Sequence, residues 1–293
     1  MMPFRKILFP VDFSEANIAM IPYVTEMAQR FDSTVTVLNA FNLIHEYNLA
    51  PSLDNCVSGP IAIPYTPDFQ ELRNERERLL EEFSRTHFAS LKRTTRIEDG
   101  DPARVINWIA QRENTDLIVM PTKGLGRFRR MLLGSVTAKV LHDVGCPVFT
   151  SAHEPGPESG SPVGYRSIVC AVELNPDADA ILKAAAFLAQ AYGAKVCLLN
   201  IEPSLHGHDR ETFAESVQSA FDKALKAGGQ DIGVATTVRI QDGAVPEGIR
   251  RVAREEAADL VVVGRGGEQG NLSRLWSQLC EIIRESPCPV LSV

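Results

Sequence analysis

The chain has 293 residues and a mass of 32.2 kDa, with 44% hydrophobic and 23% charged residues, a globular composition with room for two domains of about 145 residues each. Its formal charge is −7 and its pI about 5.5, which argues against a general nucleic-acid binder or a binder of anionic membranes, because both need a basic surface. No apolar run reaches the ~18 residues of a bilayer span, and Met1–Asp12 lacks the apolar core and cleavage site of a secretory leader, so a cytoplasmic protein is expected.

In chain order, Arg5–Val11 is short and apolar, a first strand. Ile18, Ile21, Val24, Ala28 and Phe31 follow at helical spacing, with Ser14 as the better N-cap candidate. Pro22 lies inside that pattern and predicts a kink or a late start. Thr34–Asn39 is a β-branched second strand. Phe41–Pro67, with Tyr47, Tyr65 and several prolines, is too long for an ordinary connection and is a candidate lid, packing element or dimer contact. Phe69, Leu72, Leu79, Leu80 and Phe83 mark a second helix, and Arg93–Glu98 a third strand. Asp101-Pro102 reads as N-cap and first residue of a third helix that turns Val105, Ile106, Ile109 and Ala110 inward. Leu117–Met120 is the fourth strand; Val136, Val140, Leu141 and Val144 mark a fourth helix, and Pro147–Thr150 a last strand. Residues 151–164, rich in Pro, Gly and Ser, have the composition of a linker.

The pattern then repeats. Arg5–Asp12 aligns with Arg166–Glu173, and Val37-Leu38-Asn39 with Leu198-Leu199-Asn200, both offset by 161 positions. Asp99-Gly100 aligns with Asp242-Gly243 and Asp116–Met120 with Asp259–Val263, offset by 143. Cys146-Pro147-Val148 aligns with Cys288-Pro289-Val290. Ordered blocks with steady offsets mark a duplication, with domains at 1–150 and 165–293. Each copy alternates strands and helices, which predicts two tandem doubly wound α/β domains with parallel sheets of five strands. The last strands, Pro147–Thr150 and Pro289–Val293, are apolar edge candidates and are expected to pair with each other.

Ligands of such folds bind beyond the carboxyl ends of the strands, where strand order reverses. That directs attention to Asp12 and to the loop that starts at Pro121. The loop reads Met120-Pro121-Thr122-Lys123-Gly124, then nine residues, then Gly134-Ser135-Val136. Glycines let backbone N–H groups approach an anion, and a helix N-terminus favours negative charge. Lys123, Arg127 and Arg129 add positive charge as candidate phosphate contacts. A plain turn followed by a helix start would give the same spacing.

Val11-Asp12-Phe13-Ser14, the Gly124-x9-Gly134-Ser135 loop and the ending Lys139–Val148 together resemble the universal stress protein family, in both copies and over nearly the whole chain. The resemblance implies an adenine nucleotide alpha hydrolase-like fold and binding of ATP, or of AMP or ADP, with Mg as companion of the phosphates. Carried over by position, Asp12 and Ala40 meet the nucleoside, and Thr122, Gly124, Gly134, Ser135 and Val136 the ribose and phosphates. Pro10, Val11, Met120 and Pro121 complete the same site. Pro121 stands where the nucleotide-binding members carry a glycine. The implied role is a stress sensor or regulator and not an enzyme; the alternatives are a slow ATPase using the same pocket, or an interaction protein with both sites silent. A homodimer is also compatible.

The second copy departs from this pattern: Glu173 replaces the Asp, Ser277-Gln278 the Gly-Ser, and Trp276 precedes them. The expectation is a degenerate second site, with the indole filling the cleft and Arg265 left to attract an anion weakly. No phosphate-binding Gly-x4-Gly-Lys-Ser/Thr or Gly-x-Ser-x-Gly elbow occurs. His206-x-His208 is the closest histidine pair but has no matching Cys or carboxylate pattern, so no metal site is expected. The six cysteines, none in CxxC spacing, read as small buried hydrophobes, except Cys56 in a loop-like segment.

Overall fold

The computed structural model describes residues 4–42, 69–122, 133–151, 164–173, 178–201, 208–227, 233–265 and 272–293. The first half runs β1 (Lys6–Pro10), α1 (Glu15–Arg30), β2 (Thr34–Phe41), α2 (Phe69–Phe88), β3 (Lys92–Asp99), α3 (Pro102–Glu113), β4 (Leu117–Pro121), α4 (Ser135–Asp143) and β5 (Val148–Ser151). The second runs β6 (Ser167–Ala171), α5 (Ala178–Tyr192), β7 (Lys195–Ile201), α6 (His208–Ala227), β8 (Thr236–Gln241), α7 (Val245–Glu255), β9 (Leu260–Val263), α8 (Leu272–Glu285) and β10 (Val290–Ser292).

The strands form one ten-stranded sheet in the order β3-β2-β1-β4-β5-β10-β9-β6-β7-β8. All neighbours are parallel except the central pair, where β10 meets β5 antiparallel with Leu291 opposite Phe149. The expected pairing of last strands is therefore observed. It closes an apolar edge on each half and makes the sheet continuous. Thr150 Oγ1 and Ser292 Oγ reach across to the carbonyls of Val290 and Val148, at 3.4 and 3.2 Å.

The core occupies both faces of the sheet and spans both halves. On one face an aromatic cluster crosses the seam: Phe31 stacks on Phe187 at 5.0 Å, Phe4 meets Phe187 edge-on at 5.5 Å, and Phe149 meets Tyr165 at 6.4 Å. Tyr192 also donates to the Glu26 carboxylate of the first half and lies under the Arg30 guanidinium. Burial pushes the Glu26 carboxyl above its ordinary value, against the opposing effect of the Tyr192 and Arg30 hydrogen bonds.

Local signals operate as the residues suggest. Ser14 caps α1 through Asn17 N–H, and Asp101 caps α3 through the N–H groups of Ala103 and Arg104. Gly100 and Gly243, paired by the repeat, both hold positive φ, 141° and 122°, where a side chain is strained.

Three packing expectations are corrected. Ile18 is 48% exposed, because its neighbour Asn17 turns inward to bond Pro10 O and Asp12 N–H. Leu79 is 42% exposed, because the buried stripe of α2 runs through Leu80, Ser84 and Phe88 at every fourth residue. α1 starts at Glu15, not late, and runs on across Pro22, which lies on the exposed side where water can serve the carbonyl that loses its donor. Strands β2, β4 and β5 each extend beyond their predicted ends, to Phe41, Pro121 and Ser151. Phe41, the first residue of the candidate lid, belongs to β2, and residues 43–67 of it lie outside the described residues.

Candidate functional site

In the first half the order reverses between β1 and β4, which places their carboxyl ends side by side. Pro10 ends β1, Val11 is buried and Asp12 is half-buried. Asn17 binds this turn from below: its Nδ2 donates to Pro10 O at 3.1 Å, and its Oδ1 accepts Asp12 N–H at 2.7 Å. The Asp12 carboxylate accepts Ser14 N–H at 3.0 Å, and Phe13 takes φ 61°. Asn39 Nδ2 adds a bond to Val11 O at 2.8 Å, and Arg76 meets Asn39 Oδ1 at 3.3 Å. A buried, fully engaged Asn pair thus holds Asp12 at the strand mouth. Asn39 was visible in the repeat as the partner of Asn200, which makes the equivalent bond to Val172 O at 3.0 Å; Asn17 had no such signal.

On the β4 side, Met120, Pro121 and Thr122 are buried. Thr122 N–H bonds Ser151 O at 3.1 Å, and Thr122 O accepts Gly134 N–H at 2.8 Å. Thr137 Oγ1 donates to Pro121 O at 3.1 Å. The start of α4 is therefore stitched to the end of β4, although ten residues separate Thr122 from Leu133. Gly134 is the N-cap, at φ −60° and ψ 142°, and no side chain caps the helix. Among the described residues, no side-chain cap bond takes the first N–H groups of α4. Ser135 is exposed and Val136 half-buried, so Val136 is less of a core residue than its spacing suggests. Ala40 is half-buried within β2. Lys123, Gly124, Arg127 and Arg129 lie outside the described residues.

The second half has its switch point between β6 and β9. There, among the described residues, a small cleft is lined mostly by aliphatic side chains, together with Glu173, Arg265 and Gln278. Two expectations are overturned here. Trp276 does not line this cleft; its indole lies edge-on to His142 of α4 at 5.4 Å, across the seam between the halves. Arg265 is not left to attract an anion: its guanidinium donates to Val144 O at 2.6 Å, Cys146 O at 3.0 Å and Leu141 O at 3.4 Å, carbonyls at the end of α4 and in the turn that follows it. A cation on a helix C-terminus satisfies orphan acceptors and opposes the dipole. Burial pulls this guanidinium below its ordinary value.

Among the described cysteines, Cys170, Cys197 and Cys288 are buried, and Cys146 and Cys280 half-buried, all free; Cys56 lies outside the described residues. Burial pushes the Cys146 thiol up to about 11. Among the described residues no group of three or more His, Cys, Asp or Glu side chains could hold a metal ion, and no helix is long and apolar enough to cross a membrane.

Fold and site define a tandem, doubly wound α/β protein with a switch point in each half. The Universal stress protein family model matches residues 3–150 and again residues 164–293, and the chain belongs to that family. A universal stress protein of Methanocaldococcus jannaschii is 28% identical over 149 residues, covering 50% of this chain and 81% of its own length. The crystal structure of a universal stress protein from Archaeoglobus fulgidus matches 100% of this chain and 97% of its own, with a TM-score of 0.72 at 22% identity. A functionally unknown protein from Pseudomonas aeruginosa matches 100% and 93%, with a TM-score of 0.62 at 16% identity. Both share the fold.

Proposed function

We propose that the first half, residues 1–150, binds an adenine nucleotide, and that the chain is a cytoplasmic stress sensor or regulator. Residues 165–293 form a supporting second domain with a departed site, joined by a linker that begins after Ser151. One observation carries the reading: the N-terminus of α4, at Gly134 and without a side-chain cap among the described residues, is tied to the mouth of β4 beside Asp12. Free N–H groups at a helix start are an anion seat. In this reading Asp12 and Ala40 take the nucleoside. Thr122, Gly124, Gly134, Ser135 and Val136 take the ribose and phosphates of ATP, ADP or AMP, with Lys123, Arg127 and Arg129 nearby and Mg on the phosphates.

The test is Gly134→Val. The φ of −60° at Gly134 is open to any residue, and glycine adds no side-chain cap that Val would lose, so the fold should survive. Calorimetry should show ATP affinity falling by about tenfold or more, equivalent to about 1.4 kcal/mol, from a wild-type stoichiometry near one per chain. Unchanged affinity, or two nucleotides per chain, overturns the assignment. Phosphate release from ATP separates a sensor from a slow ATPase using the same pocket.

A further inference from the structure

The two halves close the turn after their last helix differently. Val144-Gly145-Cys146 follows α4, and Ser286-Pro287-Cys288 stands at the equivalent place after α8. In the second half the turn is closed from within: Ser286 Oγ donates to Cys288 O at 2.7 Å. Val144 has no hydroxyl, and the equivalent Cys146 O accepts Arg265 Nη2 of the other half at 3.0 Å, while Val144 O accepts Nη1 at 2.6 Å. The backbone that carries Arg265 is matched in the first half. Arg265 N–H bonds Val293 O at 3.1 Å, and Thr122 N–H bonds Ser151 O at 3.1 Å. The matching side chain is thus a threonine, too short for the reciprocal reach. Trp276 adds a second contact across the seam, to His142 in the last turn of α4 at 5.4 Å.

From this asymmetry we infer that the second half positions the first-half site, with Arg265 as a positioning residue that acts through α4. The helix has nine residues, about 14 Å at 1.5 Å per residue, so it moves as one short rod. Arg265 grips one end. The other end is stitched to the β4 mouth, where Gly134 N–H bonds Thr122 O at 2.8 Å and Thr137 Oγ1 bonds Pro121 O at 3.1 Å. Without the guanidinium the carbonyls after α4 lose their charged donor, and the helix start is no longer held in advance where a ligand needs it. The dependence runs one way, because the turn after α8 is closed by its own Ser286. The ligand in this inference rests on the proposed first-half nucleotide site; the placement of α4 does not.

Two measurements on the full chain test this, at a temperature where circular dichroism shows each variant folded. Wild type, Arg265→Met and Arg265→Lys are compared with Met27→Ala, a control for lost stability alone. Met27 is 1% exposed near the end of α1, in a different core cluster from Val140 and Leu141 of α4. By calorimetry, ATP affinity should fall roughly fivefold or more in Arg265→Met. It should fall less in Arg265→Lys, which keeps the charge, and stay within about twofold in Met27→Ala. By hydrogen exchange without ATP, the Gly134 and Ala138 amides, which bond Thr122 O and Gly134 O, should lose more protection in Arg265→Met than in Met27→Ala. ATP affinity within about twofold of the wild type in folded Arg265→Met overturns the inference. So does exchange at Gly134 and Ala138 no faster than in Met27→Ala. If Arg265→Met does not fold, Arg265→Lys carries the same two comparisons. If the wild type binds no ATP, the nucleotide reading fails and the exchange comparison alone decides the placement of α4.

Discussion

Arg265→Met removes a guanidinium that a residue of the second half places on the last turn of a first-half helix. Two of its three hydrogen bonds are short, 2.6 Å to Val144 O and 3.0 Å to Cys146 O, and the third is long, 3.4 Å to Leu141 O. A hydrogen bond to a charged group contributes about 1.5–3 kcal/mol, so the two short bonds supply roughly 3–6 kcal/mol gross. The cost of burying a guanidinium offsets part of this, and Met keeps the apolar stem. The expected net loss is ~3 kcal/mol, with Arg265→Lys losing about half of that, because a single ammonium cannot span three acceptors in a fork. Urea denaturation followed by circular dichroism measures it. Arg250→Met is the comparison: its ion pair with Glu285 spans 2.8 Å, with side chains 37% and 27% exposed, and such a pair is worth at most about 1 kcal/mol. If Arg265→Met lies within about 0.5 kcal/mol of the wild type, or no lower than Arg250→Met, the clamp does not hold the two halves together as described.

Two further perturbations probe the seam. Leu291 is 1% exposed opposite Phe149 in the antiparallel pair, so Leu291→Ala should cost about 2–5 kcal/mol in the same denaturation assay; a loss below about 1 kcal/mol would mean the seam is not packed. Burial raises the Glu26 carboxyl from its ordinary 4.5, so the folded chain binds its proton more tightly than the unfolded chain does. That contribution is fully present below the ordinary value and is lost as pH rises through the folded value, at about 1.4 kcal/mol for each pH unit between the two. Glu26→Gln should remove this decline, so the stability difference between variant and wild type should grow in the variant's favour from pH 4 to neutrality. A flat difference curve would refute it.

Much of this architecture was legible because its causes are local or periodic. The strands of both copies, the Asp101 cap of α3 and the inward set Val105, Ile106, Ile109 and Ala110 follow from residues within a turn or two of each other. The duplication then carries each assignment to the second half, down to the shared positive φ of Gly100 and Gly243. The edge character of the last strands likewise implied their partner. What the tertiary structure decided are contacts between residues far apart in the chain. Arg265 looked like a remnant of an anion loop, but its acceptors lie 119 to 124 residues away; only the antiparallel meeting of β5 and β10 brings the end of α4 within its reach. The same docking draws Trp276 to His142. Ile18 and Leu79 were misplaced for a related reason. An apolar period defines a helix, but its rotation about the axis is set by what lies beneath it, here the bonds of Asn17 to the β1 turn and the stripe of Leu80, Ser84 and Phe88 on the sheet.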